Sequence, residues 1–200
     1  MSNFINNLRD LNVGVMHPKG RPAEELLRQI HRIGCPFEAI WPIPSSLPKG
    51  IDVLFVDVDE ISPLEIKPLL SKSKDNLPAI IAIIEYENPS VLQGLFEIGA
   101  HAVITKPVRA AGVMSSILMA RRYWSEIRKA EKDINKLKSK LENVQKVNDA
   151  KSILMRHRGL SDKEAYAIIR KQAMAKRATT LEIAQSIINA DGILSELGND

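Results

Sequence analysis

Between Ala110 and Lys151 the sequence contains no proline and, after Gly112, no glycine. Nothing in that stretch interrupts a helix. Apolar residues recur in it at heptad spacing. Ala120, Ile127, Ile134 and Leu141 form one series, and Tyr123, Ala130, Leu137 and Val144 form a second, three residues on. Charged residues such as Lys129, Glu131, Lys132, Lys136 and Lys140 fill the positions between. More than three heptads of this pattern predict a coiled-coil seam. Asn148 continues the first series, and a polar residue there sets register and favours two strands. A parallel homodimer follows, with Ile127, Ile134, Leu137, Leu141 and Val144 as its dimerisation residues. The alternative is that the helix packs within its own chain, on the residues that follow; the last turns are expected to do both.

This helix divides the 200 residues into two parts of opposite charge. Residues 1–109 hold 11 Lys and Arg against 13 Asp and Glu, whereas residues 110–200 hold 17 against 11. A cationic half joined to a weakly anionic one points to a polyanionic partner for the former. Other properties exclude whole classes. Apolar residues make up 44% and charged residues 26%, the balance of a folded globular chain rather than a disordered one. The longest apolar run, Ala79 to Ile84, is far short of the ~20 residues of a membrane span. No signal peptide pattern opens the chain. Cys35 is the single cysteine, which leaves no intrachain disulfide and no cysteine-based zinc site. A cytoplasmic protein is expected.

The first half alternates short apolar runs with helical periodicity. Val13–Met16 is predicted as a strand. Ala23, Leu26, Leu27, Ile30 and Ile33 share one face of a helix over Pro22–Ile33, stopped by Gly34. Further strands are predicted at Phe37–Trp41, Asp52–Asp57, Ala79–Ile84 and Ala102–Thr105, with a helix over Ser90–Ile98 stopped by Gly99. Such alternation predicts an α/β fold, a doubly wound parallel sheet of flavodoxin-like type, with its site at the carboxyl ends of the strands.

Two residues sharpen this. Asp57 ends the third strand, and Lys106, followed by Pro107, ends the fifth. Over roughly residues 9–120 the chain resembles the receiver domain of bacterial response regulators, of five strands and five helices. That resemblance makes Asp57 the phosphoacceptor position and Lys106 its lysine. The departures are as informative. Where receivers carry an acidic pair for Mg²⁺, this chain has His17-Pro18; where they carry Thr or Ser after the fourth strand, it has Ile84. Mg²⁺ requires oxygen ligands, and phosphoryl transfer requires the metal and its donors. Glu85 is the one further carboxylate within plausible reach. The half is therefore read as a pseudo-receiver with a vestigial site at Asp57 and Lys106, with His17 a strand-end residue of no ligand role. Its input is expected to be a protein docking on it.

After the seam the period shifts. Val147, Ala150, Leu154 and Met155 continue a helix to about Gly159. Ser161-x-x-Glu164 and Thr179-x-x-Glu182 are capping boxes that open two more helices. The first buries Ala165, Ile168, Ile169, Ala173 and Met174; the second buries Leu181, Ile183, Ala184, Ile187 and Ile188 and ends at Gly192. The expected parts are a pseudo-receiver over 1–115, a coiled-coil dimerisation helix over 116–149 and an all-α three-helix module over 130–192.

The order Ala150-Lys151-x-x-Leu154-Met155, Gly159, Glu164-Ala165-Tyr166-x-x-Ile169-Arg170-x-x-Ala173 and Leu181-x-Ile183-Ala184-x-x-Ile187-Ile188 resembles the ANTAR domain, an RNA-binding module of bacterial transcription antiterminators. With the degenerate receiver and the seam, the chain resembles the antiterminators of the aliphatic amidase regulator group. The resemblance implies a non-enzymatic protein, without cofactor or metal, that binds two adjacent hairpins of a leader mRNA and prevents a terminator from forming. It also implies control by a ligand-sensing silencer of the periplasmic-binding-protein fold, an amide sensor. The residues agree: Lys151, Arg170, Lys171, Lys176 and Arg177 supply phosphate-binding cations. They are favoured over Arg156 and Arg158. Tyr166 is the one aromatic of the module. The alternative is a phosphorylation-dependent response regulator binding DNA or RNA. The absence of a helix-turn-helix pattern and of the acidic pair argues against it.

Overall fold

The computed structural model describes residues 7–73 and 76–197. It divides into two compact units, Met1–Arg128 and Lys129–Asp200. A short 3₁₀ turn at Asn7–Asp10 precedes β1 (Val13–Met16), α1 (Arg21–Ile33), β2 (Phe37–Ala39), β3 (Val53–Asp57), α2 (Pro63–Lys72), β4 (Ala79–Ile84), α3 (Pro89–Ile98) and β5 (Ala102–Thr105). The long helix α4 (Ala110–Arg158) begins in the first unit and ends in the second, followed there by α5 (Asp162–Lys176) and α6 (Thr180–Leu197).

In the first unit the five strands form one parallel sheet in the order β2-β1-β3-β4-β5. This is the doubly wound order the alternating pattern predicts. Strand side chains alternate between two faces, so the apolar runs fill two cores. Val13, Val15, Val53, Phe55, Ile81 and Ile83 face Leu26 and Ile30 of α1 and Val113, Ile117 and Ala120 of α4. Met16, Leu54, Val56, Ile80, Ala82 and Ile84 face Ile66, Leu69 and Leu70 of α2 and Leu95 and Ile98 of α3. Gly34 and Gly99 end α1 and α3 in the left-handed region, at φ 92° and 66°.

Three expectations need correction here. Among the described residues the unit has four α-helices rather than five: between β2 and β3 the chain crosses without a helix, because Pro42, Pro44 and Pro48 withhold backbone donors. The Trp41–Pro42 bond is cis, and β2 ends at Ala39 instead of Trp41. Ala120 is fully buried against the sheet, so the exposed seam starts beyond it.

In the second unit Ala150 of α4, Ile169 and Ala173 of α5, and Ile183 and Ala184 of α6 form the core, flanked by Val147, Leu154, Ile187 and Ile188. Both capping boxes are made. Ser161 and Glu164 exchange side chain–backbone bonds, as do Thr179 and Glu182. Met174 does not join the core; it is 65% exposed, one residue past the buried Ala173 and so turned about 100° away on the helix. Gly192 does not end α6, which continues to Leu197. A glycine inside a helix costs only about 1 kcal/mol relative to alanine, and the flanking residues carry it.

Candidate functional site

The carboxyl ends of β1, β3 and β5 bring His17, Asp57 and Lys106 together. Asp57 is fully buried. Lys106 Nζ lies 2.9 Å from its Oδ1 and 2.8 Å from its Oδ2, and 3.2 Å from Asp59 Oδ2. The Asp59 amide also donates to Asp57 Oδ1, at 3.2 Å. His17 Nε2 lies 2.9 Å from Asp57 Oδ2, as a charge contact outside good hydrogen-bond angles. His17 Nδ1 sits 2.8 Å from the Pro18 carbonyl. Both ring nitrogens thus face acceptor oxygens, a setting that favours the doubly protonated ring.

The pKa directions agree. Burial alone would lower that of His17, but the Asp57 carboxylate and the Pro18 carbonyl outweigh it and the net shift is upward. Burial alone would raise that of Asp57, but His17 and Lys106 hold it below its usual value. Lys106 is shifted upward, its burial outweighed by Asp57 and Asp59.

The vestigial pair Asp57–Lys106 is therefore a real contact, and His17, read from sequence as a bystander, is its third member. The signal was available: a buried carboxylate needs counter-charge on every side, and His17 stood where the acidic pair was missing. A divalent cation does not fit this arrangement. His17 and Lys106 already contact both carboxylate oxygens, and His17 brings nitrogen where Mg²⁺ requires oxygen ligands. Ile84 is buried in the second core and brings no hydroxyl to the pocket. Glu85 is exposed on the rim of the same cleft.

In the second unit the expected cations separate into two kinds. Arg170, Lys171, Lys176 and Arg177 are exposed, and none makes an ion pair among the described residues. Lys151 is different: its side chain is 16% exposed and is held by Asp162 Oδ1 and, at 3.2 Å, by Asn148 Oδ1. Arg156, together with His157, is bound to Asp191 at 2.7 Å each. Arg177 caps α5 in the left-handed region at φ 52°, the one non-glycine residue at positive φ among those described. Its amide donates to the Met174 carbonyl, and Ala178 donates to that of Ala173. These bonds fix the Arg177 backbone at the turn into α6.

The seam residues lie bare. Ile134, Leu137, Leu141 and Val144 are all more than half exposed, and Ile127 is half-buried. Among the described residues no helix is long and apolar enough to cross a membrane.

Comparison with known proteins accords with this geometry. Residues 11–121 match the family described as AmiR, N-terminal, and residues 135–188 match the ANTAR domain. The chain is 32% identical over 188 residues to the aliphatic amidase regulator of Pseudomonas aeruginosa, covering 94% of this chain and 95% of that protein. It is 24% identical over 113 residues to the transcriptional regulatory protein PdtaR of Mycobacterium tuberculosis, spanning 56% of this chain and 55% of that one. These relatives are regulators rather than enzymes. Among solved structures, the response regulator StyR aligns with a TM-score of 0.50 at 14% identity, over 90% of this chain and 98% of its own, a likeness of fold alone.

Proposed function

Because the chain belongs to the family of the aliphatic amidase regulator, an AmiR N-terminal domain followed by an ANTAR domain, we propose that it is a cytoplasmic transcription antiterminator. It binds two neighbouring hairpins in a nascent leader mRNA and keeps the terminator from forming. The parts are a pseudo-receiver over residues 1–115, a dimerisation helix over 116–149 and an RNA-binding module over 130–192. The observation that carries the reading is the set of four exposed, carboxylate-free cations on and just after α5: Arg170, Lys171, Lys176 and Arg177. Such cations are available to phosphate, while Arg156 is spent on Asp191.

The exposed stripe from Ile134 to Val144 supports a homodimer. Two linked modules then meet two hairpins, and the second binding event gains effective concentration. Control is assigned to a protein silencer that senses a ligand, of periplasmic-binding-protein fold, because the Asp57 carboxylate is already neutralised by His17 and Lys106. With His17 in place of an acidic pair, phosphoryl transfer to Asp57 lacks the metal site it requires.

The test is binding of the purified protein to a labelled two-hairpin leader RNA, against duplex DNA of equal length, over a salt series. Tight RNA binding that persists in salt and fails on DNA is expected. Equal, steeply salt-sensitive binding to both would reduce the cations to a non-specific patch and bring back the phosphorylation-dependent reading.

A further inference from the structure

α4, α5 and α6 meet around a cavity of about 420 Å³ in the second unit. Its size lies in the range of sites for small ligands. Val147 and Leu181 form apolar walls, and Val144, at the end of the seam, forms another. Tyr166 lines the cavity and is 45% exposed, the one aromatic of this unit. Lys151 and Thr180 stand on the polar side. The Lys151 ammonium is held by Asn148 and Asp162, which leaves one of its three donors for a further acceptor.

The surroundings say what enters. At 100° per residue, Lys163 and Arg170 fall within about 60° of Tyr166 around α5. Both are exposed and have no ion pair among the described residues. The aromatic ring thus sits on a ridge of cations beside a cavity with apolar walls. A phosphate chain would be held on the ridge, and a flat, neutral group attached to it would fit the cavity. A cavity serving a purely apolar group would not need an ammonium in its lining.

We propose that this cavity takes one unpaired nucleobase of the hairpin, stacked on Tyr166, with its acceptor edge on Lys151. The proposal rests on the RNA-binding reading above and adds a base contact to its phosphate contacts. Base contacts carry sequence information, whereas phosphate contacts only position the chain. A single base stacked on one ring is consistent with a module that lacks a multi-aromatic platform.

The experiment uses the full chain and hairpin RNAs in which 2-aminopurine replaces each loop purine in turn. The expected result is quenching at a single loop position on binding. In Tyr166→Ala, whose ring is half out in solvent and is not needed for folding, that quenching is lost. RNA affinity falls about ten-fold with the salt slope unchanged, because no cation is removed. Tyr166→Phe keeps both. Circular dichroism confirms that each variant is folded. Wild-type protein that binds no hairpin RNA overturns the RNA-binding reading and this proposal together. Wild-type binding without position-specific quenching, or quenching unchanged in Tyr166→Ala, overturns the base pocket alone.

Discussion

His17 Nε2 stands 2.9 Å from Asp57 Oδ2, so a histidine ring sits against the carboxylate that the fold places at the centre of its strand ends. Lys106 holds the other side of the same carboxylate. The pocket is thus closed by the chain's own charges, where an intact receiver leaves its carboxylate to a metal and a phosphoryl group. Four predictions follow the two sites.

Stability of the first unit depends on pH in two opposite limbs. The His17 pKa is raised on folding, so its contribution is complete below the ordinary histidine value of about 6.5 and is lost as pH climbs through the raised one. The Asp57 pKa is lowered, so its contribution is complete above about 3.9 and is lost as pH falls through the lowered one. Urea unfolding of wild type should therefore weaken above about pH 6.5. In His17→Gln that alkaline decline should flatten; an identical decline in both would remove His17 from the cluster.

Asp57→Asn should separate stability from function. It removes the buried carboxylate that His17 and Lys106 share and leaves Lys106 only Asp59, a loss of about 3 kcal/mol by analogy with other broken buried pairs. Antitermination in a leader–reporter assay should survive at a temperature where the variant stays folded. A folded variant that no longer responds would restore a phosphorylation role.

Arg170→Ala combined with Arg177→Ala should weaken RNA binding while leaving the fold intact, since both side chains point into solvent. The slope of log affinity against log salt should drop by about two, one for each lost phosphate contact. Arg177→Gly gives a sharper result. It relieves a left-handed residue, worth about 1 kcal/mol, and removes a cation at once. A higher melting temperature with weaker RNA binding is expected; weaker binding is the part that tests the interface.

Leu137→Asp with Leu141→Asp puts two charges into the exposed apolar stripe. Light scattering should find monomers where wild type is dimeric. Affinity for the two-hairpin RNA should fall toward that for a single hairpin, because the linkage between modules is gone. A dimer that persists would move the interface away from the stripe.

Much of this was legible in local pattern. The strands at Val13–Met16 and Ala79–Ile84 follow from short apolar runs, and the caps at Ser161 and Thr179 from side chains that bond their own backbone within three residues. Asp57 and Lys106 were readable because one ends a strand and the other follows directly on one. His17 was readable only in part: it stands where the acidic pair is missing, but its partner is a carboxylate forty residues away. Nor were the bound states of Lys151 and Arg156, which look like any other cation along the chain until Asp162 and Asp191 are brought beside them.

The amino-acid sequence by itself determined the periodicities: a parallel sheet covered on both faces, a helix with a heptad seam, and a small basic module. These rest on interactions among near neighbours and on burial that alternates along each element. Tertiary structure decided which charges are spent and which are free. Asp57 is closed by His17 and Lys106, Lys151 is held by Asp162 and Asn148, and Arg170 and Arg177 stay open to solvent. The reason is physical: an ion pair is made by separation in space, and residues far apart in the chain acquire that separation only when the elements carrying them pack.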